Sequence, residues 1–201
     1  MFYKHLPTHI PKPLTDEGMH KHVWDTPDNV AGKYMIPFEQ LVNDINPDFM
    51  DWIQNKIGLL IADVEVFYSP PEYFMPIHTD GETIHSEAKL NFMYGAPKSQ
   101  MKWWMPKEGA KPRKSKMDHS NAKAEVGELV WDPEDCVEID STEVFVTLVQ
   151  VGVPHNIQNL TLPRKCVSVI FDKPTTGGGR EELVTFEEAV ELFSNEDAYH
   201  F

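Results

Sequence analysis

The hydrophobic period of this chain changes at residue 59, and that change limits the folds open to it. Between residues 38 and 57 the apolar side chains recur at helical spacing: Phe38, Leu41, Val42 and Ile45, then Phe49, Trp52, Ile53 and Ile57 before Gly58. From Leu59 to residue 172 the pattern becomes short β-branched and aromatic runs separated by Gly, Pro, Asn and Asp. Strands are expected near 59–68, 74–80, 87–94, 101–105, 127–131, 136–139, 143–151 and 164–171. A parallel sheet needs a long crossover, usually helical, between successive strands, and none is available here. The expected class is therefore mainly β with flanking helices, an antiparallel sandwich or jelly roll.

The flanks complete one domain over residues 1–201. Residues 1–58 read as an irregular Pro- and His-rich arm followed by two short amphipathic helices, 59–172 as the β core, and 173–201 as a C-terminal helix. That helix opens with the capping box Thr185-x-x-Glu188, and Gly177-Gly178-Gly179 ahead of it reads as a joint. With 41% hydrophobic residues the chain has enough apolar surface to fold. It has neither a membrane-length apolar run nor the apolar segment of a signal peptide, so a soluble, cytoplasmic protein is expected. Cys136 and Cys166, too few for a disulfide framework and without CxxC spacing, are expected as buried apolar groups.

The formal net charge of −14 disfavours nucleic acid as a partner, because a phosphate polyanion would meet a repulsive long-range field. One segment runs against that balance: residues 98–123 carry eight basic and two acidic side chains. Its plain reading is a solvated loop, and its functional reading is a docking surface.

The chemistry concentrates in Pro76-Ile77-His78-Thr79-Asp80-Gly81, at the end of an expected strand. Residues i and i+2 of a strand share a face, so His78 and Asp80 can grip one metal ion. H-x-D alone is weak and requires a third ligand. His155, at the end of another expected strand, is the candidate. Two His and one carboxylate form the facial triad that leaves open positions on a non-haem Fe(II). Nine residues further, Arg164 opens the run Lys165-Cys166-Val167-Ser168-Val169-Ile170-Phe171, and a guanidinium matches a carboxylate bidentately.

With H-x-D, a long gap, His, a short gap and Arg in that order, residues 59–172 resemble the 2-oxoglutarate- and Fe(II)-dependent dioxygenases. The resemblance implies a double-stranded β-helix, a jelly-roll variant. It implies His78, Asp80 and His155 as ligands of Fe(II), Arg164 as the partner of the distal carboxylate of 2-oxoglutarate, and O2 as the second cosubstrate. Upstream, Tyr68-Ser69-Pro70-Pro71-Glu72-Tyr73-Phe74 is similar to the run that precedes H-x-D in the prolyl-hydroxylase and nucleic-acid demethylase branches, which carries Tyr68 into the cosubstrate pocket. Pro71 stands where those branches have Gly. The second arginine of the demethylases has no counterpart here, and a carboxylate at Asp80 leaves no site for the halide used by another variant.

Lys89 and Asn91 alternate with Ala88, Leu90 and Phe92 in an apolar strand. They line either a solvated face or the interior beside the iron, where Lys89 rivals Arg164 as the 2-oxoglutarate anchor. Of the adjacent Trp103 and Trp104, one is expected in the core and the other as an exposed substrate platform. His85 is near enough to H-x-D to support it, and the remaining His residues, at 5, 9, 20, 22, 119 and 200, are given no role. The activity implied is hydroxylation of a C–H bond in a protein side chain or small molecule, with no obligate partner. The alternatives are a non-oxidative cupin-like metal protein, in which Arg164 has no purpose, and a jelly-roll binding module working through Trp103, Trp104 and the lysines.

Overall fold

The β-branched runs pair into two antiparallel sheets of six strands each, consistent with a β-sandwich. A computed structural model describes residues 1–29, 31–117, 126–174 and 183–199. Its strands are β1 (Tyr3–His5), β2 (Gly32–Met35), β3 (Leu60–Ser69), β4 (Ile77–His78), β5 (Ala88–Gly95) and β6 (Gln100–Pro106), then β7 (Arg113–Met117), β8 (Val126–Trp131), β9 (Cys136–Glu143), β10 (Val146–Gln150), β11 (His155–Gln158) and β12 (Arg164–Asp172). The first sheet runs β1-β10-β5-β12-β3-β2 and the second β7-β8-β4-β11-β6-β9.

The mainly β expectation is met, with four corrections. The arm is not irregular: it adds the edge strands β1 and β2 to the first sheet. The basic segment contributes β7, paired with β8, in place of a simple loop. The 74–80 strand shrinks to β4, with only an isolated bridge from Phe74 to Gln158 before it. A further strand, β11, begins at His155, where a short, polar His-Asn-Ile-Gln run shows too little alternation to stand out. Lys123, His119, His200 and Gly177-Gly178-Gly179 lie outside the described residues.

The helices gather on one side of the first sheet. α1 (Asp16–Met19) continues as a π-helical turn through His20–Trp24; α2 (Phe38–Asp44) precedes α3 (Pro47–Asp51), which continues as a π-helical turn over Trp52–Ile57; and α4 (Phe186–Leu192) follows the β core. Gly58, at φ +82°, ends the second run in the left-handed region where glycine costs least. The capping box holds: Glu188 N–H donates to Thr185 Oγ1 at 3.3 Å and Thr185 N–H to Glu188 Oε2 at 3.0 Å. Leu41, Ile45, Phe49, Trp52, Ile53, Phe186 and Phe193 pack with Val64, Val66, Leu90, Phe92, Val167, Val169 and Phe171 in the largest apolar cluster. Phe38 and Val42, expected on the same stripe, are 77% and 58% exposed. Phe38 is the first residue of α2, directly after Pro37 at the N-cap.

Strand alternation then sends Glu65, Lys89, Asn91, Arg164, Cys166 and Ser168 to the opposite face of the first sheet, toward the second. All nine residues of β12 are buried, so this sheet is covered on both faces. A smaller apolar cluster, with Met101, Trp103, Val149, Val151 and Ile157, fills the rest of the space between the sheets.

The arm is fastened by Asp44 at the end of α2. Its Oδ2 accepts from Lys21 Nζ at 2.9 Å and His22 Nε2 at 2.7 Å, while its carbonyl accepts from Thr15 N–H at 2.9 Å. Gly18 lies so close that an added Cβ would meet Asp44 O at 2.8 Å. His22, given no role from sequence, is thus buried and structural. Burial would raise the Asp44 pKa, but the hydrogen bonds from Lys21 and His22 outweigh it and hold the group below its ordinary value. A depressed carboxylate stabilises the fold above its unfolded pKa, and that contribution fades as pH falls through the folded value. Asp44→Ala is expected to cost about 2–3 kcal/mol at neutral pH, read as a lowered denaturation midpoint. The gap from wild type should close below about pH 4.

Candidate functional site

His78 ends β4 and His155 begins β11, and the two strands pair with these residues directly opposite one another. The imidazoles therefore lie side by side, with ring centroids 4.4 Å apart. Asp80 follows two residues after His78, its N–H donating to Val151 O at 3.0 Å. Beside it, Gly152 permits the close approach of His85, whose N–H donates to Gly152 O at 2.9 Å: a Cβ at 152 would clash with the His85 carbonyl oxygen.

Each histidine is locked by its own strand. Nδ1 of His78 lies 2.9 Å from Pro76 O, and Nδ1 of His155 lies 2.9 Å from Val153 O. A carbonyl only accepts, so in both rings Nδ1 carries the proton and donates it. In the neutral rings Nε2 is then a lone pair, and both Nε2 atoms face Asp80 Oδ1, at 3.3 Å from His78 and 3.7 Å from His155. Two imidazole lone pairs and a carboxylate oxygen converge within 4.8 Å of one another, a donor set that could hold a metal ion.

The charges are set by burial and by neighbours. Burial, helped by the adjacent His78, pushes the His155 pKa down to about 3 and keeps that ring neutral. Burial opposes protonation of His78 as well, but there its hydrogen bond to Asp80 wins and raises the pKa. For Asp80 the penalty of burial is overcome by Lys89, then by His78, so its carboxyl sits well below the usual range.

A cavity of about 200 Å³ opens beside the triad, between the two sheets. The second sheet contributes His78, Met101, His155 and Ile157; the first contributes Lys33, Phe67, Lys89, Asn91, Arg164 and Ser168. Arg164 is 3% exposed and, among the described residues, its Nε has no hydrogen-bond partner; Asn91 Oδ1 and Ser168 Oγ are also buried without one there. Register places Ser168 directly opposite Asn91. Lys89 is occupied, its Nζ donating to Asp80 Oδ2 at 2.6 Å and Glu65 Oε2 at 2.9 Å. Of the two readings of the Lys89 and Asn91 face, the interior one is correct.

Tyr68 borders the cavity, although it is paired with Lys165, on the helix-covered side of the sheet, and its hydroxyl donates to His22 O. Strand alternation forbids Tyr68 and Arg164 from sharing a face, because Arg164 pairs with the next residue, Ser69. Tyr73, five residues on, lines the cavity as well. Of the tryptophans, Trp103 is fully buried and donates from Nε1 to Gln150 O at 2.8 Å. Trp104 is half-buried, its Nε1 bound to Asn156 Oδ1 at 2.8 Å, and it packs with Ile77 and Trp131. Neither borders the cavity; Trp103 is the core residue of the pair, and Trp104 keeps part of its ring exposed.

Among the described residues, three of the eight basic side chains of the 98–123 segment are paired with carboxylates. Lys102 pairs with Glu138, Arg113 with Asp132 and Lys114 with Glu82. His85 binds Glu87 at 2.8 Å rather than any of the triad. Sequence reasoning missed Glu65, Lys33, Ser168, Tyr73 and the buried Glu128 of β8, whose pKa is raised by burial. The period-2 pattern would have found Ser168, at i+4 from Arg164, and Glu65 stands out as a lone acid amid Val64 and Val66.

No protein-family model matches this chain, and no curated protein is significantly similar to it in sequence. Among the described residues, no helix is long and apolar enough to cross a membrane.

The triad is checked by anaerobic calorimetry with Mn(II). One ion per chain is expected, with affinity reduced about 100-fold or more in His78→Ala and Asp80→Ala. Wild-type affinity in both variants would remove these residues as the metal site.

Proposed function

We propose that this chain is an Fe(II)- and 2-oxoglutarate-dependent dioxygenase that hydroxylates a C–H bond of a protein side chain or small molecule. The observation that carries the reading is the pairing, in one cavity, of three converging metal-ligand atoms with a buried arginine whose Nε is unpartnered. A buried guanidinium with an unmade hydrogen bond is costly unless an anion completes it. In this reading the anion is the distal carboxylate of 2-oxoglutarate, with Asn91 and Ser168 as further polar contacts.

The strand order supports a double-stranded β-helix. Apart from the β7–β8 hairpin, the strands from β3 to β12 alternate between sheets except at β6–β9, an order that fits a jelly roll built from β10-β5-β12-β3 and β4-β11-β6-β9. His78, Asp80 and His155 would hold Fe(II). With 2-oxoglutarate and O2 the metal supplies the oxidation, one oxygen atom ending in succinate and the other in the C–OH of the product, with release of CO2.

The residues of the chain divide the remaining work. Pro76 O and Val153 O hold both imidazoles in the tautomer a metal needs. Arg164 orients the cosubstrate from β12, and Lys89, already bound to two carboxylates, is not free to do so. Met75, Met101, Val151 and Ile157 give the cavity apolar walls that exclude water. A soluble, cytoplasmic setting accompanies this reading, and the formal net charge of −14 argues for a protein or small molecule over nucleic acid as substrate.

Anaerobic addition of Fe(II) and then 2-oxoglutarate is expected to produce the visible iron-to-ketoacid charge-transfer band. In Arg164→Ala the 2-oxoglutarate concentration for half-development should rise about 10- to 100-fold, the worth of a charge-assisted hydrogen bond. Iron binding with no band in the wild type would replace this reading with a non-oxidative, cupin-like one.

A further inference from the structure

Asp80 presents its two oxygens to different partners. Oδ1 faces the Nε2 atoms of His78 and His155, while Oδ2 accepts from Lys89 Nζ at 2.6 Å. Lys89 reaches on to Glu65 Oε2 at 2.9 Å, and Glu65 Oε1 meets Lys33 Nζ at 2.6 Å. Four charges thus alternate in sign from the arm strand β2, through β3 and β5, to the triad. The Lys89 and Glu65 side chains are 4% and 3% exposed, so water does not compete for these contacts.

We propose, building on the metal-centre reading, that Lys89 is a positioning residue that keeps Asp80 a one-oxygen ligand. Carboxylates bind cations through one oxygen or both, so the denticity of Asp80 depends on what else engages its second oxygen. With Oδ2 engaged by a buried ammonium, only Oδ1 is free for the metal. The consequence is functional. A facial triad is useful because it leaves open positions, and a carboxylate gripping with both oxygens would consume one that a bidentate ketoacid and O2 require. Lys33 and Glu65 hold the ammonium in place, since Glu65 takes a second hydrogen bond from Lys89 and is itself tied to the arm. Lys89 therefore serves the cosubstrate indirectly, by keeping coordination space open, while Arg164 binds it.

The role separates from a merely structural one by the opposite signs of two affinities. Removing the ammonium relieves its repulsion of a divalent cation and frees Oδ2, so Lys89→Met should bind Co(II) at least as tightly as wild type. Its anaerobic visible Co(II) spectrum should change in shape, and the affinity of the Co(II)-loaded protein for 2-oxoglutarate should fall about 10-fold. Glu65 keeps Lys33 as a partner in this variant, which protects the fold. Loss of Co(II) affinity in parallel with 2-oxoglutarate affinity, with an unchanged spectral shape, overturns the proposal and leaves Lys89 a plain structural cation. A Co(II)-loaded wild-type crystal structure with both Asp80 oxygens on the metal overturns it without any variant. Failure of the wild type to bind Co(II) at all would instead sink the triad reading on which it rests.

Discussion

A sheet buried on both faces, one apolar and one charged, is the constraint on which the remainder of the molecule depends. The helices cover the outer face of the first sheet with Leu, Ile, Phe and Trp side chains, while Glu65, Lys89 and Arg164 stand on the inner one. A buried charge without a partner costs far more than a buried polar atom, so the inner face is tolerable only if its charges pair. Lys89 with Glu65 and Asp80, and Glu65 with Lys33, answer that demand. Of the five buried side-chain atoms left unpaired among the described residues, Tyr94 OH and Asn159 Oδ1 lie elsewhere, while Arg164 Nε, Asn91 Oδ1 and Ser168 Oγ stand on this face, at roughly 1–3 kcal/mol each. Their grouping in one cavity with the triad makes a ligand, rather than poor packing, the economical account.

The arm belongs to this arrangement. It is stapled through Asp44, supplies β2 at the edge of the first sheet, and through β2 contributes Gly32 and Lys33 to the cavity wall. A segment that looks dispensable in sequence thus completes both the charge chain and the enclosure. Stability at Asp44 and order at the cavity are therefore linked by one piece of backbone, although the two sites share no side chain.

Much of the architecture was legible because local chemistry and tertiary packing agree. The change of period at residue 59, the stop at Gly58, the Thr185 capping box and most strands follow from residue pattern alone, and H-x-D with a distant His marks the residues that converge. The parts that were not legible are those that depend on pairing partners. β1 and β2 lie in Pro- and His-rich sequence with no alternation of their own and form strands only because β10 and β3 offer open edges. Tyr68 borders the cavity, as similarity of its surrounding run implies, yet register places its hydroxyl on the other face, against His22 O. Which of the adjacent tryptophans is buried depends on the neighbouring strands: Trp103 is enclosed, while Trp104 stays half-buried with its indole N–H on Asn156 and its ring against Ile77 and Trp131. Lys89 invited two readings because alternation of polar and apolar residues describes a solvated face and a charged interior equally well.

The triad also shows two different ways of fixing a side chain. Each histidine is oriented by the carbonyl two residues before it, so its tautomer is written into four or five residues of strand end and survives whatever happens elsewhere. Asp80 has no such local guide. Its carboxylate is oriented by Lys89 from β5, which is held by Glu65 of β3, which is held in turn by Lys33 of the arm. Residues 33–89 must therefore be in place before the carboxylate is, whereas the imidazoles need only β4 and β11. A site assembled this way has two ligands set by local backbone and a third set by the completed fold, so defects in the arm would reach the carboxylate first and leave the histidine pair as it was.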